Sequence, residues 1–430
     1  MSRSRPACSL GPRAMHGALL LLLILGPRTG VGAISRGPSK GLCWINGSAI
    51  KMTGGPGRRL RDVREAAALG PARRVSSSPT MVAGSLTEAR RAENVAGNLF
   101  VDESCIDCDT CRWMQGETFA HKSGKSAVVR QPETEEERRG AYRAMHACPT
   151  SSIRVETSDP VARDALKDFP FPVDSERLPG VFHLGFHGES SFGCSPWLVQ
   201  RPEGNMMMDS PRFHPGLAKE LDAKGGVSLM VLSHIDDVGD HQRWKDRFPD
   251  MKRVMHKADV QRHGDTRNIE IKLDSDSADG QIGFRDYWQL GDGLRALHTP
   301  GHSRGSITLL YDGNNKSAHS APERGGSAQA EGIAFTGDHL ALSGRTGALT
   351  GFPRYGYDLA MQSESIELLS RSDLKFRSVT RHQIHRMARA GSQPNRWILP
   401  GHGRMIRFEN DEDRASQIMV AAANTKAGRA

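Results

Sequence analysis

Four cysteines constrain this chain more than any other feature: Cys105, Cys108 and Cys111 in a C-x2-C-x2-C run, and Cys148, followed at once by Pro149. A short turn of this kind points three thiolates inward, and a remote fourth completes the ligand set of an iron–sulfur cube. Where two cubes share a chain, the Cys-Pro follows the run almost immediately and serves the other cube. Here 36 residues separate Cys111 from Cys148, and no second C-x2-C-x2-C run occurs. The spacing therefore predicts that all four cysteines hold one [4Fe–4S] centre. The alternative is a zinc ribbon or a pair of disulfides. A ribbon shows two C-x2-C pairs, whereas this chain has three close cysteines and one far.

Residues 97–157, closed by Ala147-Cys148-Pro149-Thr150-Ser151-Ser152-Ile153, resemble a single-cluster bacterial-type ferredoxin. The resemblance implies a small α+β domain, expected over residues 96–158.

At 430 residues the chain has room for two or three domains. A hydrophobic content of 37% supports real cores, and a mean hydropathy of −0.50 excludes a polytopic membrane protein. The net charge of +9 is unevenly spread. Residues 1–95 carry 15 Lys+Arg against 4 Asp+Glu, or +11, and the remainder carries 43 against 45, or −2. The near-neutral body has no nucleic-acid footprint.

The basic part reads as an address. Arg3, Arg5 and Arg13 precede the apolar run Ala18 to Leu25, and Val31-Gly32-Ala33 offers a small-residue cleavage site. This is the layout of a signal peptide over residues 1–33, with an apolar run too short to span a bilayer. Residues 34–95, rich in Arg, Ser, Ala and Gly, read as a transit peptide or disordered leader. Together they resemble the bipartite leaders of plastid proteins in algae, which implies a plastid address and no membrane insertion of the mature protein. A mitochondrial address from an internal start at Met15 or Met81 is the alternative. Plain secretion would expose cluster thiolates to oxidation. Cys8 and Cys43 fall in the leader, and Cys194 is expected to be a small buried hydrophobe.

From about residue 178 short apolar runs alternate with turns and polar helices, as in a layered α/β domain. Runs around Trp197, Met207 and Met230, and those ending at His298, Tyr311, Asp338 and His402, read as strands, several finishing at polar chemistry. Polar groups at successive strand ends converge on one rim of a sheet. Asp312–Gly332 and Ser378–Asn395 read as polar insertions. The chemistry sits in islands: His234-x-Asp236-Asp237-x-x-Asp240-His241, His298-Thr-Pro-Gly-His302, Gly337-Asp338 and Pro400-Gly401-His402. Imidazoles and carboxylates grouped in this way are what one or two divalent ions, zinc or iron, require.

The islands, in this order, resemble the metallo-β-lactamase fold over residues 178–410, leaving 411–430 as a tail. That family is an αβ/βα sandwich of two sheets covered by helices. The resemblance implies His234 and His302 as ligands of a first metal. Asp240, His241 and His402 would serve a second, with Asp338 bridging and Asp240 orienting the nucleophile. The family's middle His is replaced by Asp236, and two extra residues precede the Asp-His pair. The second metal site is accordingly expected to be the better formed. His298 and Asp237 are expected behind the ligands; His183, His187 and His256 are read as structural; Ser303 and Gly305 shape the turn after His302. The expected activity is metal-dependent hydrolysis of an ester- or thioester-type bond in a small molecule. The alternative is an iron-dependent oxidoreductase receiving electrons from the [4Fe–4S] cluster and, through it, from an electron-transfer partner.

Overall fold

Successive side chains of a strand face opposite ways, and this chain fills both faces. Met206 and Met208 enter one core while Met207 enters another; Ile333 and Phe335 are split in the same way from Ala334, and Trp397 and Leu399 from Ile398. The result is a four-layer sandwich. Its inner core lies between two seven-stranded sheets. The first sheet runs in the order Ile271–Leu273, Lys252–His256, Leu229–Val231, Met206–Met208, Trp197–Val199, Val181–His183, Phe171–Pro172. The second runs Gly280–Ile282, Arg285–Gly291, Leu294–His298, Ile307–Tyr311, Gly332–Gly337, Asn395–Pro400, Ile406–Arg407. Helices Pro215–Ala223 and His241–Arg247 cover the first sheet; helices Leu359–Ser370 and Asp411–Lys426 cover the second. The computed structural model describes residues 89–262, 264–282, 285–313, 330–371 and 395–429, all within one compact unit.

Strand direction places the site. Met206–Met208, Leu229–Val231 and Lys252–His256 are mutually parallel, so their carboxyl ends share one edge. Trp197–Val199 runs antiparallel to Met206–Met208, with Trp197 opposite Met208, and brings its amino end to that edge. In the second sheet Leu294–His298, Gly332–Gly337 and Asn395–Pro400 point the same way. The two edges meet: Ile307 N donates to Ser233 O at 2.9 Å, and Trp197 Nε1 to Pro400 O at 3.0 Å.

The amino-terminal part has its own small core. Leu99–Val101 pairs antiparallel with Ile153–Val155, Phe119–Lys122 forms a hairpin with Lys125–Val128, and helix Glu135–Ala147 packs across them. A reciprocal capping box between Thr134 and Glu137 starts that helix.

Three expected boundaries move. Residues 89–95 belong to this amino-terminal core rather than to a leader. Arg91 is buried, donating to Ser126 O and Lys122 O, and Asn94 Oδ1 accepts from Val101 N and Val128 N. The sandwich begins at the edge strand Phe171–Pro172 instead of residue 178. Residues 411–426 are not a tail: Ile418, Ala421 and Ala422 of the last helix are buried against the second sheet. Residues 1–88 and both inserted segments, apart from their ends, lie outside the described residues. Among the described residues no helix is long and apolar enough to cross a membrane.

A chain starting at Ala89 should fold as the full chain does, whereas one starting at Asn98 should lose stability. Asn94→Ala strands two buried amides and should cost about 2 kcal/mol in urea unfolding. An unchanged midpoint would show that residues 89–95 contribute nothing.

Candidate metal centres

The cluster loop is shaped by two residues with left-handed backbone, Asp107 (φ 61°) and Asp109 (φ 66°), a conformation Asp tolerates better than most side chains. Arg112 donates to both carboxylates at 2.6 Å. The turn leaves a small pocket walled by Cys105, Cys108, Cys111 and Cys148. Burial pushes the Cys108 thiol up to about 11 and the Cys111 thiol higher still, with the neighbouring cysteines adding to both. Among the described residues these sulfurs do not form a group with every separation within 4.8 Å. Tetrahedral zinc, with Zn–S of about 2.3 Å, would hold them about 3.8 Å apart. The wider cradle suits a cube.

The second centre lies on the shared rim. His234 Nε2 is 3.7 Å from Asp236 Oδ2 and 3.9 Å from Asp338 Oδ2. His302 Nε2 is 3.9 Å from Asp236 Oδ2 and 3.7 Å from Asp338 Oδ2. Ligand atoms about 2.0–2.1 Å from one ion stand about 3.4 Å apart, so His234, His302 and Asp338 face one point at nearly coordinating distance, with Asp236 beside both imidazoles. Ser233 Oγ bonds His234 Nδ1 at 2.9 Å, leaving Nε2 toward the site. On the other side of Asp338, His402 Nδ1 meets its Oδ1 at 2.7 Å, and Asp237 completes a group with ligand atoms within 4.8 Å of one another. Cys194, Asp209 and Asp237 form a further such group, all buried. Gly401 makes this convergence visible: a Cβ there would stand 2.8 Å from Asp237 Oδ2, 2.9 Å from Asp338 Oδ1 and 3.2 Å from Cys194 Sγ.

The electrostatics call for a cation. Asp209, Asp237 and Asp338 are crowded together, and Asp236 stands beside them, half-exposed. Burial and then the Asp338 charge push the Asp237 carboxyl well above its usual range. Burial pushes Asp209 up to about 7, against two hydrogen bonds from Ser233. Burial alone would raise Asp338, but the His402, His234 and His302 imidazoles hold it below the usual carboxylate range. Burial lowers His402, and Asp338 and Asp237 reverse this to bring it to about 10; His234 falls to about 3, chiefly through burial. Both oxygens of Asp237, Nε2 of His234 and Nε2 of His402 are buried without a hydrogen-bond partner. An uncompensated buried carboxylate costs several kcal/mol, and a divalent ion with nitrogen and oxygen ligands compensates it. The residues present fit such an ion.

Of the residues expected at the site, His234, Asp236, His302, Asp338 and His402 are brought together. Asp240 and His241 are not. Asp240 Oδ2 accepts from Phe213 N at 2.7 Å and from Arg243 at 3.2 Å. Arg253, which can only donate, bonds His241 Nδ1 at 2.9 Å, and this places the neutral imidazole's proton on Nε2, the atom a metal would need bare. Asp237 takes the inner place instead, because the one-turn 3₁₀ helix Ile235–Asp237 rolls it under His234. Each site thus has a group of three ligand residues, His234, His302 and Asp338 in the first and Asp237, Asp338 and His402 in the second. His298 lies away from these groups, stacked on His256 and bonded to Arg304 O. His183 and His187 bond one another beneath the cluster loop.

Asp209, Cys194 and Asp259 also stand at the site, beyond the residues the motifs indicate. Asp209 ends a strand and Cys194 precedes one, the same signal that marks the other islands. Asp259 braces two ligand loops, accepting from Ile235 N, Gly305 N and Ser303 Oγ.

Residues 101–155 match the family model described as the 4Fe-4S single cluster domain of Ferredoxin I. No curated protein matches the chain. Among solved structures it is similar to a HARLDQ-motif mutant of a metallo-beta-lactamase from Cronobacter sakazakii, with 15% identity, 60% of this chain and 93% of that chain covered, and a TM-score of 0.33. It is also similar to the mono-zinc form of the metallo-beta-lactamase FIM-1 from Pseudomonas aeruginosa: 16% identity, 54% and 84% covered, TM-score 0.32. An archaeal metallo-beta-lactamase superfamily protein from Sulfolobus tokodaii gives 16%, 56% and 84%, and 0.31. The segment that matches the single-cluster 4Fe-4S model adjoins a sandwich of two seven-stranded sheets covered by helices, the part of the chain that is similar to these structures.

Cys105→Ala should abolish the broad visible absorption of anaerobically purified protein; a colourless wild type with zinc at the four cysteines would overturn the cluster assignment. Gly401→Ala and Asp237→Asn should each lower metal content at the rim, while His241→Ala keeps it. Metal per chain, counted beyond the cluster iron in folded protein, checks all three.

Proposed function

We propose that the protein is a metal-dependent hydrolase acting on an ester- or thioester-type bond of a small molecule. The observation that carries this reading is the convergence of buried, donor-free ligand atoms from both sheets on one rim. His234, Asp236, His302 and Asp338 would hold one divalent ion, and Asp237, Asp338 and His402 a second. Such an ion lowers the pKa of a water toward neutrality and polarises the bond under attack. The chain's own residues orient this chemistry. Asp338 stands between the two ligand groups and can serve both. Asp236 faces both imidazoles and is half-exposed, so its carboxylate meets an incoming substrate and can take the proton of the attacking water. Asp236 rather than Asp240 takes this part, since Asp240 is engaged with Phe213 N.

A second reading, an iron-dependent oxidoreductase, is favoured by one contact. A Cβ on Gly193 would lie 2.9 Å from Cys108 Cβ and 3.4 Å from Cys108 Sγ, so a cluster ligand packs directly on the loop that enters the rim. Arg404, two residues beyond His402, also binds Asp109 of the cluster loop at 2.7 and 3.0 Å.

Turnover of an ester and thioester panel by anaerobically purified, metal-loaded protein decides between the two. Hydrolysis that is lost on chelation and insensitive to dithionite supports the hydrolase. No hydrolysis, with iron at the rim and turnover only when electrons are supplied, supports the oxidoreductase. Asp236→Asn should lower kcat by about 10²–10⁴-fold, whereas Asp240→Asn should cost about 1–2 kcal/mol of stability and leave kcat nearly unchanged.

A further inference from the structure

We propose that His187 of the sandwich turns the Thr110 hydroxyl onto the Cys108 sulfur and thereby raises the reduction potential of the [4Fe–4S] cluster. The proposal rests on the cluster assignment and holds for either reaction at the rim. Thr110 lies on the cluster loop and His187 on the segment after the strand Val181–His183, and both side chains are buried. Thr110 Oγ1 stands 3.4 Å from Cys108 Sγ and 3.2 Å from His187 Nδ1. His187 Nδ1 is also 2.9 Å from Gly193 O, and His187 Nε2 is 2.8 Å from His183 Nε2.

The partners settle which atom donates. A carbonyl only accepts, so the bond to Gly193 O puts the proton of a neutral His187 ring on Nδ1. The same N–H faces Thr110 Oγ1, as in a three-centre bond. Nε2 is then bare and accepts from His183 Nε2. Burial keeps both rings neutral, pushing His187 down to about 3 and His183 well below its usual value. Thr110 Oγ1 accepts from the ring and has its own proton left for the sulfur. A sulfur that ligates a cluster carries no proton, so at this contact it only accepts. The ring is also pinned. His187 N donates to Ala147 O at 3.3 Å, and His183 behind it packs on Trp113, Phe169 and Trp197 with ring centroids 5.1, 6.0 and 5.2 Å away. Thr150 makes the contrast. Its Oγ1 is 3.8 Å from Cys148 Sγ, but its proton is committed elsewhere. Asp102 accepts from Ser104 Oγ, so Ser104 accepts from Ser152 at 2.7 Å and Ser152 from Thr150 at 2.6 Å. Reduction adds negative charge to the cluster and its sulfurs, so a donated hydrogen bond favours the reduced form and raises the potential.

Redox titration of the cluster-containing protein, followed by its visible absorption, tests this without reference to turnover. Thr110→Val keeps the shape and removes the hydroxyl. It should move the oxidised-to-reduced ratio at a fixed potential about tenfold toward oxidised, a fall of about 59 mV for one electron. Thr110→Ser and Thr150→Val should both keep the wild-type potential. The side-chain nitrogen of Asn is as many bonds from Cβ as Nδ1 of His, and that of Gln as many as Nε2. His187→Asn should therefore keep the potential and His187→Gln lower it. In a Thr110→Val background His187→Gln should add nothing, because it acts through the same hydroxyl. An unchanged potential in Thr110→Val overturns the proposal, and so does an equal fall in Thr150→Val. Equal falls in His187→Asn and His187→Gln reduce the imidazole to packing and overturn it too. Loss of the cluster in Thr110→Val or in both His187 variants, counted as iron and sulfide per chain, makes these groups part of the cradle and also overturns it. Wild-type protein that holds no cluster overturns the proposal and the assignment beneath it together.

Discussion

Asp237 sets the terms for the rest of the rim. It carries two carboxylate oxygens into a place without solvent, where no nitrogen or hydroxyl donates to them and only the Cys194 thiol is in reach, next to Asp209 and Asp338. Like charges buried together raise one another's protonation cost, and only protons or a cation relieve it. His402 supplies part of the relief by pairing with Asp338. The remaining ligand atoms are aimed at empty polarity rather than at each other. Every neighbouring feature serves that concentration of charge. Gly401 keeps its backbone close because no Cβ intrudes, Ser233 turns His234 by its Nδ1, and Asp259 ties the His234 and His302 loops together.

The two centres are built against each other. The cluster loop touches the sandwich at Gly193 and through the two-pronged Arg404–Asp109 pair. Burial would raise the Asp109 carboxyl, but Arg404 and Arg112 hold it below its usual value, so the pair is charged at neutral pH. Such a fork fixes geometry as well as contributing energy. The same short segment, residues 401–404, packs on the rim carboxylates at one end and on the cluster loop at the other. This segment is a direct covalent link between the two centres.

The outline of the protein is legible in the chain because it depends on local periodicity. Alternating apolar residues in Met206–Met208, Ile333–Phe335 and Trp397–Leu399 specify strands buried on both faces, and polar residues just past them mark a rim. The C-x2-C-x2-C run with its distant Cys-Pro specifies a cluster cradle because ligand spacing within a turn is itself local. His302, Asp338 and His402 could be placed for the same reason: each follows its strand at a short, unambiguous distance.

Other assignments needed the tertiary structure. Eight residues from His234 to His241 contain five acids and bases that spacing alone cannot rank. The 3₁₀ turn at Ile235–Asp237 sends Asp237 inward, and the helix that begins at His241 carries that histidine to Arg253. Cys194 and Asp209 lie 40 and 25 residues before His234, and only antiparallel pairing of their strands brings them to one edge. Arg91 looked like leader composition until the hairpin carbonyls that bind it were in place. Local sequence determined which strands exist and which end chemistry each one carries. Only the packing of two sheets, edge to edge, decided which of those ends come within ligand distance of one another, because such distances are encoded by no spacing along the chain.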